Sequence, residues 1–133
     1  MKKTSLLNEE LSRAIASLGH TDGIAIGDCG LPIPKEAIRI DLALKKGSPT
    51  FLDTLNTVLE ELCVERVVLA EEIRTVSPGM LEGIQQSLLL PETSYEYISH
   101  EDFKRKLKEV KYVIRTGECT PYANIILVCG VAF

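Results

Sequence analysis

Apolar residues along the chain recur at two alternating spacings, one typical of helices and the other of strands. Helical spacing over 9–18, after the capping residue Asn8 and before Gly19, predicts the first helix. Short apolar runs at 24–26 and 64–70 predict buried strands. The other predicted elements are a short strand near 39–41, helices opening at Ser48-Pro49 and at Ser77-Pro78 (the second reaching about Leu89), a strand at 95–99, a charged helix at 101–108, and strands at 112–114 and 124–133. This alternation predicts one α/β domain over residues 1–133 with a largely parallel sheet.

The stretch 19–34 places His20 before the first strand, and Asp22 and Asp28 near its two ends. Imidazole exchanges protons near neutral pH and carboxylates accept hydrogen bonds, so these groups suit acid–base chemistry. Residues at such positions also cap turns and helices, so the stretch alone leaves a structural role equally open. At about 3.3 Å per residue, a straight strand holds His20 and Asp28 more than ~20 Å apart. Both therefore serve one ligand only if the chain folds back between them or a neighbouring subunit takes part.

Other polar residues follow predicted strands. Because ligands of open α/β sheets bind beyond the carboxyl ends of the strands, these residues are expected along one edge. They are Asp28, Glu71, Glu72, His100 and Arg115. The residues alone therefore predict a polar site suited to acid–base chemistry on a neutral, hydroxyl-rich ligand.

Composition and charge narrow the class of protein. The 133 residues are 45% hydrophobic and carry a net charge of −4, which argues against nucleic acid as a partner because phosphate binding needs clustered Lys and Arg. The longest apolar run is too short to span a bilayer, and the N-terminus has no signal-peptide core, so we expect no membrane partner and a cytoplasmic location. The phosphate-binding GxxxxGK[ST] and GxGxxG patterns and the GxSxG nucleophile pattern are absent.

The four cysteines are expected to be free thiols, and no structural metal site is expected. No CxxC pair occurs and the two histidines are far apart in the sequence. Cys63 and Cys129 lie in apolar segments and are predicted core residues, whereas Cys29 and Cys119 lie in polar loops. No base neighbours either loop cysteine in the sequence, which disfavours a nucleophilic role.

Five segments carry a resemblance to a known family over the full length of the chain. They are LGHTD at 18–22, GDCGLPIP at 27–34, RID at 39–41, AEEI at 70–73 and IRTGECTPYANIIL at 114–127. On these segments the chain resembles the D-ribose pyranase family, which is related to the fucose mutarotases. The resemblance implies a Rossmann-like sheet with helices on both faces, and interconversion of pyranose and furanose ribose without cofactor or metal. It also implies a homo-oligomer, a decamer of two pentameric rings, that supplies furanose to ribokinase.

The resemblance also assigns residues. The family's histidine proton donor corresponds to His20, and its residues that bind D-ribose correspond to Asp28, His100, Tyr122, Ala123 and Asn124. Two departures are visible: Cys29 stands where alanine is common, and the connection 75–92 is short for the family.

Three alternative functions and one question of packing stay open at this stage. The same proton chemistry serves a mutarotase of another sugar such as fucose, and a non-catalytic module would bind sugar without altering its exchange. A phospho-receiver domain also places Asp at strand ends, but it needs an acidic pair and a Lys that the later strands do not supply.

The apolar C-terminus GVAF predicts packing of Phe133, either within the chain or at a subunit interface.

Overall fold

Residues 1–133 are described by a computed structural model, in which one six-stranded sheet is flanked by helices. The strands are β1 (Gly23–Gly27), β2 (Ile38–Asp41), β3 (Val64–Ala70), β4 (Tyr95–Ile98), β5 (Tyr112–Arg115) and β6 (Ile125–Cys129). The helices are α1 (Glu9–Ser17), α2 (Phe51–Leu59), α3 (Ile73–Val76), α4 (Pro78–Ser87) and α5 (His100–Lys106), with short 3₁₀ turns at Glu92–Ser94 and Leu107–Glu109. The predicted α/β class and single domain agree with this arrangement.

The strand order is β2-β5-β1-β6-β3-β4. Five strands run parallel, as predicted, but β6 runs antiparallel to both of its neighbours, β1 and β3. Residues 116–124, which join β5 to β6, are too few for the helical crossover that a parallel strand requires. The chain therefore turns at the carboxyl edge of the sheet and comes back through its centre.

Side chains alternate between two apolar layers, one on each face of the sheet. Ile24 and Ile26 point into the larger layer, which α1, α2 and α4 cover, whereas Ala25 points into the smaller layer under α5. This alternation follows from the two-residue period of a strand, and it confirms helices on both faces. No helix combines the length and the apolar character that crossing a membrane requires.

The predicted start of α4 at Ser77-Pro78 is correct, whereas the predicted start of α2 at Ser48-Pro49 is wrong. Helix α2 is capped by Thr50, whose hydroxyl accepts a hydrogen bond from the Asp53 amide at 3.1 Å, and not by Ser48, whose peptide bond to Pro49 is cis. Ser77 occupies the N-cap position of α4 as predicted, but its hydroxyl donates to the Pro121 carbonyl at 2.7 Å and accepts no hydrogen bond from the first turn of the helix.

The C-terminus and Cys63 also depart from expectation. Strand β6 stops at Cys129, and Phe133 is fully exposed, so it does not pack within the chain. Cys129 is buried as predicted, and burial raises its pKa to about 11. Cys63 is exposed, because it precedes β3 instead of lying inside it.

Candidate functional site

Asp28 and Asn124 form the centre of a polar cluster at the carboxyl edge of the sheet. The Asp28 amide donates to Asn124 Oδ1 at 2.9 Å, and Asn124 Nδ2 donates to Asp28 Oδ2 at 3.0 Å. Asp28 follows β1 and Asn124 precedes the antiparallel β6, so the turn at this edge brings them together. A Cβ on Gly27 would lie 3.1 Å from Asn124 Oδ1 and 2.5 Å from Leu31, so glycine is required there for the amide to approach.

His100 and Tyr122 form the second part of the cluster. Their rings meet edge to face with centroids 5.1 Å apart, and Tyr122 adopts the left-handed conformation with φ 62°. His100 is the first residue of α5, one residue before the predicted helix at 101–108, and its ring also stacks on Phe103. The buried Nδ1 of His100 has no hydrogen-bond partner in the chain.

Ala123 lies between Tyr122 and Asn124 and is fully buried in the larger apolar layer. Its amide donates to the Thr120 carbonyl, and the Asn124 amide donates to the Tyr122 carbonyl at 2.8 Å. The methyl group of Ala123 thus anchors a tight turn that presents its two neighbours at the edge.

Glu72 supports His100 from the end of β3. Both of its carboxylate oxygens accept the His100 amide, at 3.1 and 3.0 Å. The neighbouring Glu71 pairs with Arg74 instead. An open groove beside this contact is lined by Glu71, Glu72, Thr75, Tyr97, Ile98 and Ser99. The predicted edge of strand-end carboxylates therefore exists, with Glu72 directed at the histidine.

Arg115 supports Asp28 from the other side. Its Nε donates to the Cys29 carbonyl at 3.2 Å, and its guanidinium pairs with Asp41 at 3.1 Å. Asp41 thus pairs across strands with Arg115 and not locally with Arg39. The Arg115 contact holds the loop that follows Asp28 against β5.

Cys29 and Cys119 approach each other beside this loop, with their Sγ atoms 3.8 Å apart. The hydrogen bond with Cys119 and desolvation by burial raise the pKa of Cys29. A raised pKa keeps a thiol protonated at neutral pH, whereas the thiolate is the reactive form. A nucleophilic role for Cys29 therefore stays disfavoured.

His20 lies at the opposite edge of the sheet from the cluster. Strand β1 is paired on both sides from Ile24 to Ile26, and it extends ~13 Å from Gly23 to Gly27 at about 3.3 Å per residue, so the chain does not fold back between His20 and Asp28. His20 Nε2 instead lies 3.0 Å from the Glu65 carboxylate. Within one copy of the chain, the candidate proton donor and the candidate binding residues are therefore separate.

The loop that carries His20 is fixed by Asp22, whose carboxylate accepts the Gly19 amide at 2.7 Å and the Lys111 ammonium at 2.6 Å. The bond from Lys111, followed by that from Gly19, holds the pKa of Asp22 below its usual value. Asp22 is thus a loop-fixing residue. Sequence reasoning missed Glu65, although two consecutive charged residues, Glu65 and Arg66, in an otherwise apolar strand were a visible signal.

Fold and site together define an α/β protein with a polar carboxyl-edge site for a small, hydrogen-bonding ligand. Residues 1–132 match the RbsD / FucU transport protein family, and this chain belongs to that family. A D-ribose pyranase of Clostridium perfringens is 56% identical over 133 residues, which are the whole of both chains. A D-ribose pyranase of Geobacillus thermodenitrificans is also 56% identical, over all of this chain and 99% of its own length. The expected resemblance is confirmed.

Two solved structures share the fold. Bacillus subtilis RbsD complexed with D-ribose is 47% identical, and it superimposes with a TM-score of 0.93 over the full length of both chains. The fucose mutarotase of Streptococcus pneumoniae in complex with L-fucose has a TM-score of 0.86 over the full length of both chains, at 22% identity. The second likeness supports the fold alone.

Proposed function

We propose that this protein is a D-ribose pyranase, an isomerase that interconverts the pyranose and furanose forms of D-ribose. The observation that carries the proposal is the carboxyl-edge cluster, in which Asp28, His100, Tyr122 and Asn124 come together from distant parts of the chain. Relatives that are named D-ribose pyranase and are 56% identical over their full length support the same activity.

The reaction moves protons without any net change in composition. The anomeric hydroxyl loses a proton and the ring oxygen gains one, which breaks the ring C–O bond and leaves an open aldehyde. A different hydroxyl then adds to the carbonyl, and the proton transfers run in reverse. Positioned acids and bases supply ~10²–10⁴-fold acceleration of such steps. The groups of the cluster suit the remaining task, which is to hold the hydroxyls of the sugar.

His20 is the proposed proton donor at the ring oxygen, and it reaches the cluster of a neighbouring subunit. The separation of His20 from Asp28 within one chain supports this arrangement, because one small sugar cannot contact both edges of the sheet. The assembly is a homo-oligomer, proposed as a decamer of two pentameric rings. The exposed C-terminal residues Val131 and Phe133 are apolar and suit such an interface.

We place the activity in the cytoplasm, where the four free thiols of the chain are stable. The furanose product suits a kinase that phosphorylates furanose ribose. Neither the location nor the kinase that uses the product changes the chemistry of the site.

NMR saturation transfer between the pyranose and furanose signals of ribose tests the proposal. Wild-type protein is expected to speed exchange, and His20→Ala is expected to lose most of the acceleration, ~10²-fold or more. Arg13→Ala, a substitution at an exposed position of α1 outside both the polar cluster and the His20 loop, serves as the control and is expected to keep the wild-type rate.

Two outcomes would overturn the proposal. Ribose binding without any effect on exchange would identify a non-catalytic sugar-binding module. Acceleration of fucose exchange with none for ribose would identify a mutarotase of another sugar.

A further inference from the structure

The loop that carries His20 has an uncommon backbone conformation, held by backbone hydrogen bonds. Thr21 adopts the left-handed conformation with φ 70°, which is unusual for a residue with a branched Cβ. The Thr21 amide donates to the Cys129 carbonyl at 3.0 Å, and the Cys129 amide donates to the Asp22 carbonyl at 2.9 Å. The loop is thereby tied to the end of β6. Backbone held in an uncommon conformation by its surroundings is typical of functional loops.

Strand β3 is irregular where it faces this loop. Val64 pairs with Cys129 and Arg66 pairs with Val128, so Glu65 is an extra residue with no partner on β6. Such a β-bulge redirects a side chain, and bulges are common beside active sites. Glu65 and Arg66 are both exposed, which a regular strand with alternating faces would not produce.

Gly130 allows the bulge to lie close to β6. A Cβ on Gly130 would lie 3.1 Å from Glu65 Cβ and 3.3 Å from the Glu65 amide nitrogen. The Gly130 amide also donates to the Cys63 carbonyl at 2.9 Å. The bulge, the glycine and the left-handed Thr21 are three separate features, and together they bring the Glu65 carboxylate 3.0 Å from His20 Nε2.

We infer that Glu65 is a positioning residue for His20: its carboxylate accepts the Nε2–H of the imidazole and directs Nδ1 away from the chain, towards the sugar. The hydrogen bond of the His20 ring is made by Nε2, which leaves Nδ1 as the ring nitrogen available to exchange a proton with a ligand. Asp28 cannot orient this ring in the same chain, because it lies at the other edge. A carboxylate that fixes the ring and the tautomer of a catalytic histidine is a recurring arrangement.

This inference rests on the proposed pyranase activity, and the test separates the two. Glu65→Ala removes the acceptor, Glu65→Gln keeps an oxygen that can accept the Nε2–H, and Glu96→Ala is the matched control. Glu96 is an equally exposed carboxylate on the adjacent strand, paired with Arg66 and not with a histidine. We expect kcat for ribose exchange to fall ~10-fold in Glu65→Ala, with KM unchanged, partial recovery in Glu65→Gln and the wild-type rate in Glu96→Ala.

The ¹⁵N spectrum of the imidazole rings gives a readout that does not depend on activity. The chain has only two histidines, so the His20 signals are assigned by their loss in His20→Ala. We expect the Nε2 signal of His20 to move towards that of free histidine in Glu65→Ala and to stay in place in Glu96→Ala.

Unchanged kcat and an unchanged ring signal in folded Glu65→Ala would overturn the assignment. Equal losses in Glu65→Ala and Glu96→Ala would also overturn it, because they would indicate a general effect of surface charge. If wild-type protein failed to speed ribose exchange, the proposed function would fall, and the ring signal would still decide whether Glu65 positions His20.

Discussion

Asn124 makes two hydrogen bonds with Asp28 that run in opposite directions, one with the Asp28 backbone and one with the Asp28 side chain. The amide oxygen accepts the Asp28 N–H, and the amide nitrogen donates to Asp28 Oδ2. Asn124 is 1% exposed, so its amide group is shielded from water, whereas Asp28 is partly exposed. The side chain of Asn124 therefore acts on Asp28, and it is Asp28 that offers its carboxylate at the edge.

Asn124→Asp tests this pair of hydrogen bonds with a side chain of the same size. A carboxylate can accept the Asp28 N–H but cannot donate to Oδ2, and it brings a second negative charge beside the first. We expect the free energy of unfolding to fall by about 1–3 kcal/mol and ribose exchange to slow. Urea denaturation and saturation transfer measure the two effects. Asn56→Asp on the exposed face of α2 is the control, and an equal loss of stability there would contradict the explanation.

Gly27→Ala tests the close approach of the Asn124 side chain to Gly27, which makes the two hydrogen bonds with Asp28 possible. The added methyl would lie 2.5 Å from Leu31 Cδ2 and 3.1 Å from Asn124 Oδ1, so one of the two must move. We expect a loss of about 1–3 kcal/mol in the free energy of unfolding, measured by urea denaturation. Gly79→Ala in α4 meets nothing within 4 Å, and is expected to leave stability unchanged or raise it by about 0.5–1 kcal/mol.

The Asp22–Lys111 pair predicts a dependence of stability on pH in acid. The pKa of Asp22 is lowered in the folded protein, first by its bond with Lys111. The contribution of the Asp22 carboxylate to stability is therefore complete above the ordinary Asp pKa of about 3.9, and it is lost as pH falls through the lowered pKa. As pH falls from the ordinary pKa to the lowered one, we expect the thermal midpoint of Asp22→Asn to fall less than that of the wild type.

The same pair predicts the opposite slope in alkali. The pKa of Lys111 is raised, mainly by its bond with Asp22, so its contribution is complete below about 10.4 and is lost as pH rises through the raised value. Asp22→Asn and Asp22→Asn/Lys111→Met are expected to have the same pH profile of the thermal midpoint. Different profiles for the two variants would show that another group is responsible.

A shared site between subunits predicts complementation. His20→Ala and Asp28→Asn each lack one half of the site and are expected to be inactive when pure. Mixed oligomers, refolded together in equal amounts, contain some sites in which each subunit supplies its intact residue, about a quarter of the total. We expect exchange to recover to about that fraction, and a mixture as inactive as its components would contradict a shared site.

Local physics explains why most elements were predictable. The Asn8 cap, the helical spacing of α1 and the apolar run of β3 depend on neighbours in the sequence, and the structure has all three where they were expected. Asp28 and His100 were expected at one edge, because parallel strands share a carboxyl end, and the structure places them there. Tyr122 and Asn124 were assigned by the resemblance alone, and their placement depends on the antiparallel direction of β6.

The sequence by itself determined most of the elements, the family and most of the candidate residues, because caps, periodicity and motifs are local properties. Only the tertiary structure decided the partners: Asn124 for Asp28, at a separation of 96 residues, and Glu65 for His20, at a separation of 45. Strand order and register decide such pairs, and both depend on the packing of the whole sheet. The same packing placed His20 and Asp28 at opposite edges, which is why we propose that a second copy of the chain completes the site.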